Sequence, residues 1–371
     1  MKSIELLKDV AGKRALVRVD FNVPVAGGVI SETIRIDKAL PTIVFLQKLG
    51  MKVVLVAHLE NEENDSLVPI FEYLKKSLPV FFVEDFTSGE GKKILADLKY
   101  GEVALLQNIR RFSGEKKNDP EFAKQLSEIA DIYVNNAFSV SHRAHASLVG
   151  VTKFLPSYAG LLLVEEVKNL SEALHPKHPF LFILGGAKFE TKMPLVEKFL
   201  ALADHVFIGG ALANDLLKAK GFEVGVSLVS DAHLDLSKII SNPKLILPTD
   251  VTVRNSGTVS IKKPSEVLST DNILDVGPDT VNELSKIVAN AKCILWNGPL
   301  GEYEGGFKEP TLALAKVVAQ SEAESIVGGG DTLAAIQELH LFDKFSFVSL
   351  GGGATLDFLA NGTLPAIEVL N

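Results

Sequence analysis

Short apolar runs, each turning through glycine or a polar cluster into a longer helix-patterned stretch, recur along the whole 371-residue chain. In the first half they cover 14–23, 52–59, 80–86, 102–108 and 131–138, with helical patterns over 37–49, 67–78 and 120–129 between them. The second half repeats the rhythm at 180–185, 205–209, 244–253, 293–298, 325–328 and 345–351. Apolar runs of this kind joined through helices specify parallel sheets covered on both faces. The predicted class is therefore α/β, with a right-handed crossover at each step.

The length is too great for one ordinary domain and suits two, each with its own core. Residues 158–174 read as one long helix, and Pro176 and Pro179 stop it. The expected division is an N-terminal domain over 1–157, a helix and hinge over 158–178, and a second domain over 179–361. The first ten residues lack the apolar block of a signal peptide, and no stretch is long enough to cross a bilayer. A soluble, cytoplasmic protein without a membrane partner is expected. The lone Cys293 lies in an apolar run and reads as an inert core thiol. A net charge of −8 argues against a nucleic-acid partner.

Arginine stands at 14, 18, 35, 110, 111, 143 and 254, so six of the seven precede residue 150. The guanidinium fork suits phosphate and carboxylate. Composition alone leaves two readings open, an anion site in the first half or ordinary surface residues.

Four junctions in the second half place glycines where a strand turns into a helix: 183–188, 207–211, 326–332 and 348–355. Free amides and the helix dipole bind anions there, and glycine lets a phosphate approach. In a parallel sheet such junctions share the carboxyl edge, where ligands bind. Together they point to a nucleotide site. No Walker loop, dinucleotide fingerprint or protein-kinase signature is present, which disfavours a Rossmann dehydrogenase. Lys188 and Lys192, one helical turn apart, suit a polyphosphate. In the first half, strand alternation over Arg18-Val19-Asp20-Phe21-Asn22 puts Arg18, Asp20 and Asn22 on one face, where Arg18 and Asp20 can pair. Arg35 follows on a loop or helix start. His142-Arg143-Ala144-His145 reads as part of a basic anion pocket better than as a metal site.

These residues resemble the phosphoglycerate kinase family. The blocks Val17–Pro24, Asn135–Phe138 running on to His142–Ser147, Leu184–Lys188, Trp296–Gly301, Gly328–Thr332 and Gly351–Ala354 occur in that family's order over nearly the whole chain. The resemblance implies two Rossmann-like three-layer α/β/α domains with parallel sheets, joined by an interdomain helix and hinge, with the tail 362–371 packing back on the first domain. It implies reversible phosphoryl transfer between 1,3-bisphosphoglycerate/ADP and 3-phosphoglycerate/ATP in glycolysis and gluconeogenesis, by a hinge-bending monomer. Arg18, Asp20, Phe21, Asn22, Arg35, His58, Arg110 and Arg143 are implied to bind the glycerate. Lys188, Lys192, Asn297, Glu304, Gly329, Gly330, Asp331 and Thr332 are implied to bind nucleotide, with Mg²⁺ reached by Asp331 through the Mg–nucleotide. Arg35, Lys192 and the amides of Gly351, Gly352 and Gly353 are expected to stabilise the transferring group.

The chain departs from the family where His-Leu-Gly-Arg-Pro is usual. Here His58-Leu59 runs into Glu60-Asn61-Glu62-Glu63-Asn64-Asp65. Losing one charge-assisted hydrogen bond costs roughly 1.5–3 kcal/mol, about ten- to a hundredfold in affinity. Arg111, beside Arg110, is expected to compensate in part. Smaller departures are Gln107, Asn136, Ser139 and Leu350, where Glu, Asp, Gly and Thr are usual. Competing readings are a divergent relative with weakened glycerate binding or another phosphorylated acid as substrate, and a non-catalytic nucleotide-binding relative.

Overall fold

The computed structural model describes residues 1–60, 65–187, 189–230 and 235–370. The chain forms two compact units, Met1–Lys168 with Thr363–Asn371, and Asn169–Gly362.

Unit 1 is built on a six-stranded, all-parallel sheet of β1 (Arg14–Arg18), β2 (Lys52–Val56), β3 (Val80–Val83), β4 (Val103–Leu106), β5 (Ile132–Asn135) and β6 (Ser157–Ala159), in the order β3-β4-β2-β1-β5-β6. Ala15, Leu16 and Val17 of the central strand are wholly buried, as a sheet covered on both faces requires. Helix α1 (Ile34–Lys48) buries Ile36, Ala39, Ile43 and Leu46 against it, an apolar stripe at helical spacing.

The long helix expected from residue 158 begins later, as α2 (Leu161–Glu172), because Ser157–Ala159 pairs with β5 as the sixth strand. Its first amides are capped from unit 1: Leu161 N–H donates to Thr42 Oγ1 at 3.0 Å, and Leu162 N–H to Asn136 Oδ1 at 3.1 Å. Asn136 thus caps the helix through an oxygen that Asp would also offer. The chain's end lies in this unit too, where Ala366 N–H donates to the Ser141 carbonyl at 3.0 Å.

Unit 2 carries a second six-stranded parallel sheet of β7 (Phe180–Leu184), β8 (His205–Ile208), β9 (Leu245–Ile246), β13 (Cys293–Asn297), β14 (Glu324–Gly328) and β15 (Phe347–Val348), in the order β9-β8-β7-β13-β14-β15. The single strand expected over 244–253 is two strands in two sheets. Between β9 and its continuation, Pro248 has no N–H for a ladder. The chain then enters a small antiparallel sheet of β10 (Val251–Asn255), β11 (Thr258–Lys262) and β12 (Asn272–Val276). Cys293 is buried, and its thiol is pushed up to about 12, which leaves it inert.

Candidate active site

In unit 1 the chemistry-bearing residues follow four strands that are neighbours in the sheet, β4, β2, β1 and β5. Arg110 follows β4, His58 follows β2, Asp20 and Asn22 follow β1, and Arg143 follows β5. Parallel strands place all of them on the carboxyl edge, and Arg35 joins from the first turn of α1.

The expected alternation fails at Asp20 and Asn22, because β1 stops at Arg18. Asn22 N–H donates back to Asp20 Oδ1 at 3.0 Å, a turn rather than a strand. Asp20 pairs not with Arg18 but with Arg35, whose Nη1 lies 2.5 Å from Oδ2, and Ser139 Oγ donates to the same oxygen. Burial alone would raise the Asp20 carboxyl, but Arg35 and these hydrogen bonds hold it below its ordinary value. The Ser139 departure thus adds a donor to the pair.

Arg18 is wholly buried and does not line the site. Its Nε donates to Ser147 Oγ at 2.9 Å, and that hydroxyl donates to Glu115 Oε1 at 2.6 Å. Its Nη2 reaches His58 Nδ1 at 3.3 Å. That contact needs Nδ1 as acceptor, so the imidazole is neutral with its proton on Nε2. Burial, then the charge of Arg18, then Arg110 and Arg143, drive His58 down to about 2 against the pull of Asp20. His58 is a hydrogen-bond donor at neutral pH. Phe21 is also wholly buried, its side chain in the core and not in the site.

Arg110 is almost fully buried, 5% exposed, and ion-paired with Glu60. Burial and the charges of Arg143 and Arg18 lower its pKa, while Glu60 raises it. Arg143 is half-buried, and its Nε meets His142 Nε2 at 3.3 Å. Among the described residues no cluster of three metal-ligating side chains occurs. Arg111 does not turn to the site. Its Nη2 is 2.8 Å from Asp65 Oδ1 and its Nη1 3.0 Å from Glu84 Oε1. Gln107, the other departure nearby, accepts from Leu67 N–H at 2.9 Å and donates to Glu84 at 3.2 Å. Residues 61–64 of the acidic segment lie outside the described residues.

In unit 2 the candidate residues sit in the turns after β7, β13, β14 and β15, again four sheet neighbours. The glycines there do two different jobs. A Cβ on Gly185 would stand 1.9 Å from the Pro299 carbonyl oxygen, and one on Gly298 2.6 Å from the Gly185 carbonyl. These two turns touch backbone to backbone, and only glycine fits. Trp296 Nε1–H donates to the Gly298 carbonyl at 2.8 Å, and Gly298 N–H to Thr332 Oγ1 at 3.0 Å. The Thr332 oxygen therefore braces a turn. Asn297, buried, packs under Gly329.

By contrast, a Cβ on Gly330, Gly352 or Gly353 meets nothing within 4 Å. Gly330 opens α4 (Gly330–Glu338) and Gly353 opens α5 (Gly353–Asn361), so their amides sit where a helix has no acceptor of its own. Gly351 differs from the expectation: its N–H is taken by Ser349 Oγ at 3.2 Å. Lys192 is half-buried in α3 (Phe189–Leu202), with Nζ donating to the Gly185 carbonyl at 3.1 Å and its pKa lowered by burial. Lys188 lies outside the described residues.

A cavity of about 470 Å³ opens beside these turns, with Gly186, Pro299, Glu304 and Asp331 among its lining and Leu217, Val226, Leu228 and Leu274 as apolar wall. Apolar walls with a few polar groups suit a nucleoside. Burial and the charge of Glu304 raise the Asp331 carboxyl, and burial pushes Asp275 in the wall up to about 8. The wall from β12 was missed by the sequence reading. Its signal was Ser256-Gly257 between two alternating runs, a hairpin signature.

A sequence model of the family described as phosphoglycerate kinase matches residues 4–362. Named phosphoglycerate kinases resemble the chain end to end. That of Dictyoglomus turgidum is 42% identical over 98% of this chain and 96% of its own. That of Borrelia garinii is 40% identical over 100% and 99%. Among solved structures, phosphoglycerate kinase from Coxiella burnetii superposes with a TM-score of 0.86 at 38% identity, covering 99% of this chain and 97% of its own. The enzyme from Pyrococcus horikoshii gives 0.87 at 31%, covering 100% and 98%.

Proposed function

The chain belongs to the phosphoglycerate kinase family, phosphotransferases whose acceptor is a carboxyl group, and from that premise we propose that its two units divide the two substrates. The reaction is the glycolytic exchange between 1,3-bisphosphoglycerate with ADP and 3-phosphoglycerate with ATP.

Unit 1 takes the glycerate. The observation that carries this is the crowding of Arg18, Arg110 and Arg143 around one neutral histidine, each depressing the pKa of His58. Like charges gathered at a sheet's carboxyl edge favour an anionic ligand. Arg110 and Arg143 meet the substrate's charge, His58 donates from Nε2, Asn22 and Asp20 order the glycerate, and Arg18 fixes His58 from behind. Unit 2 takes the nucleotide, with the nucleoside in the apolar cavity near Glu304 and the phosphates over Lys192, Gly329, Gly330 and the α5 start.

In the direction of ATP use, a carboxylate oxygen of 3-phosphoglycerate attacks the γ-phosphorus, and the bond to the β,γ-bridging oxygen breaks as ADP leaves. The chain supplies position and positive charge rather than covalent help. Arg35, oriented by Asp20, meets the transferring oxygens from the acceptor side. Lys192 and the amides of Gly352 and Gly353 meet them from the donor side. Asp331, whose carboxyl is raised by burial and by Glu304, would hold the Mg²⁺ that a nucleotide carries, and that cation would neutralise charge on the phosphates. Movement about residues 158–178 brings donor and acceptor in line and sheds water. We take the enzyme to work as a cytoplasmic monomer without nucleic-acid or membrane partners. Among the described residues no helix is long and apolar enough to cross a membrane.

The test is a coupled assay with 3-phosphoglycerate, MgATP and glyceraldehyde-phosphate dehydrogenase. Lys192→Ala should lower kcat about 10²–10³-fold with little change in KM for 3-phosphoglycerate. Wild-type rates in that variant would remove Lys192 from the chemistry.

A further inference from the structure

Glu60 stands on the arginine that the acid substrate needs. The Arg110 guanidinium is 5% exposed and the Glu60 side chain 51% exposed, so the pair joins a buried cation to a carboxylate already half in water. The backbone under Glu60 is fixed. Its N–H donates to Asn22 Oδ1 at 2.8 Å, and Asn108 Nδ2 donates to the carbonyls of Leu59 and Asp65, both at 2.8 Å. Asn108 therefore anchors both ends of the 60–65 segment, and the first residue of that segment delivers its carboxylate to the cluster. Arg143 and Arg18 work against the charge of Arg110, and Glu60 works for it. An anion is wanted at that point, and the chain provides one of its own.

A carboxylate tethered this way acts as a ligand at high effective concentration. The two ends of the pair make exchange feasible. Arg110 cannot be left bare without the cost of a buried unpaired charge, whereas Glu60 loses little by swinging into water. We propose that Glu60 is a built-in competitor for the acid substrate at Arg110, which raises KM for that substrate alone and selects for anions stronger than a single carboxylate. A phosphate dianion displaces Glu60; a plain monocarboxylic acid does not. This rests on the arginine cluster being the glycerate site.

The experiment compares wild type, Glu60→Gln, Glu60→Asp and Arg110→Gln by steady-state kinetics and by thermal shift with 3-phosphoglycerate alone. In Glu60→Gln the KM for 3-phosphoglycerate should fall about five- to tenfold, as expected when a competing charge leaves an ion-paired site. The KM for ATP should not move. Glu60→Asp, which withdraws the carboxylate by one methylene, should fall between. Unlabelled D-glycerate should inhibit Glu60→Gln more strongly than wild type. An unchanged or higher KM for 3-phosphoglycerate in Glu60→Gln, with protection still lost in Arg110→Gln, would overturn the inference and leave the site reading standing. Absence of any thermal shift by 3-phosphoglycerate in all four proteins would remove the glycerate-site reading, and this inference with it.

Discussion

In the reading proposed above, unit 1 meets its anion with side chains and unit 2 meets its own with backbone. In unit 1 the arginines of the cluster each have a side-chain partner: Arg35 has Asp20, Arg18 has Ser147 and His58, Arg110 has Glu60 and Arg143 has His142. In unit 2 the turns proposed to face the phosphates are mostly glycine, and they lean on one another, Gly185 on Pro299 and Gly298 on Thr332. A site made of charge should answer to charge, pH and loss of a partner. A site made of backbone should answer to a single methyl group, and only where that methyl has nowhere to go.

The sharpest break in the comparison is Gly185→Ala. Its Cβ would meet a carbonyl oxygen at 1.9 Å, so two backbone segments must part. Overpacking of that severity should cost about 3 kcal/mol or more. Trp296, the one tryptophan and wholly buried beside these turns, gives the readout through its fluorescence on unfolding. Gly353→Ala is the converse, since its Cβ meets nothing within 4 Å. Its stability should hold or rise by up to about 1 kcal/mol, while kcat/KM for ATP falls about tenfold or more as the methyl enters the phosphate's space. Gly353→Ala with full activity would deny the open glycines their part.

pH separates the units next. In unit 1, burial and then Arg110, Arg18, Arg143 and Lys116 hold His145 down to about 4. The unfolded chain, near 6.5, then binds the extra proton between those values. Stability is present above about 6.5 and is lost as pH falls toward 4, by at most about 1.4 kcal/mol per pH unit. His145→Gln should reduce that slope, and His58, held down to about 2, keeps the remainder. In unit 2, Asp275 is raised to about 8. Here the folded state holds the extra proton, so stability is present in acid and is lost as pH rises toward and through 8. Asp275→Asn, a neutral isostere, should flatten it. Hydrogen exchange of β5 and of β13, followed from pH 4 to 8, reads the two slopes separately. Parallel slopes in both units would erase the contrast.

How much of this was legible beforehand follows the same divide. Parallel strands such as β7 and β13 declare themselves because both faces are buried, so the whole run is apolar. The motif positions could be placed on the sheet edge for the same reason. What a side chain does once there depends on partners far along the chain. Asp20 meets Arg35 and Ser139, not Arg18, because the strand ends at Arg18. The hydroxyl of Thr332 and the amide of Gly351 fill internal needs that the spacing of glycines does not disclose. The antiparallel sheet escaped because a half-exposed hairpin is short and only weakly apolar. With it went one wall of the nucleoside cavity.

Arg111 is the smallest of these tests. The sequence reading gave it the place of the arginine missing after His58-Leu59, on adjacency to Arg110 alone. Adjacency is a poor guide here, because Ile109–Arg111 is a 3₁₀ turn, in which neighbouring side chains point about a third of a turn apart. Arg110 goes into the cluster and Arg111 goes outward, where Asp65 and Glu84 take its guanidinium. Half-exposed pairs of this sort contribute about 0.2–1 kcal/mol each at most. Arg111→Ala should therefore lower stability by about 1 kcal/mol or less and leave KM for 3-phosphoglycerate where it was. A rise of tenfold in that KM would mean that Arg111 abandons both carboxylates when substrate arrives, and would return the compensating role to it. If KM holds, the glycerate site works without the missing arginine. Arg111 then serves to hold Asp65 at the far end of the acidic segment.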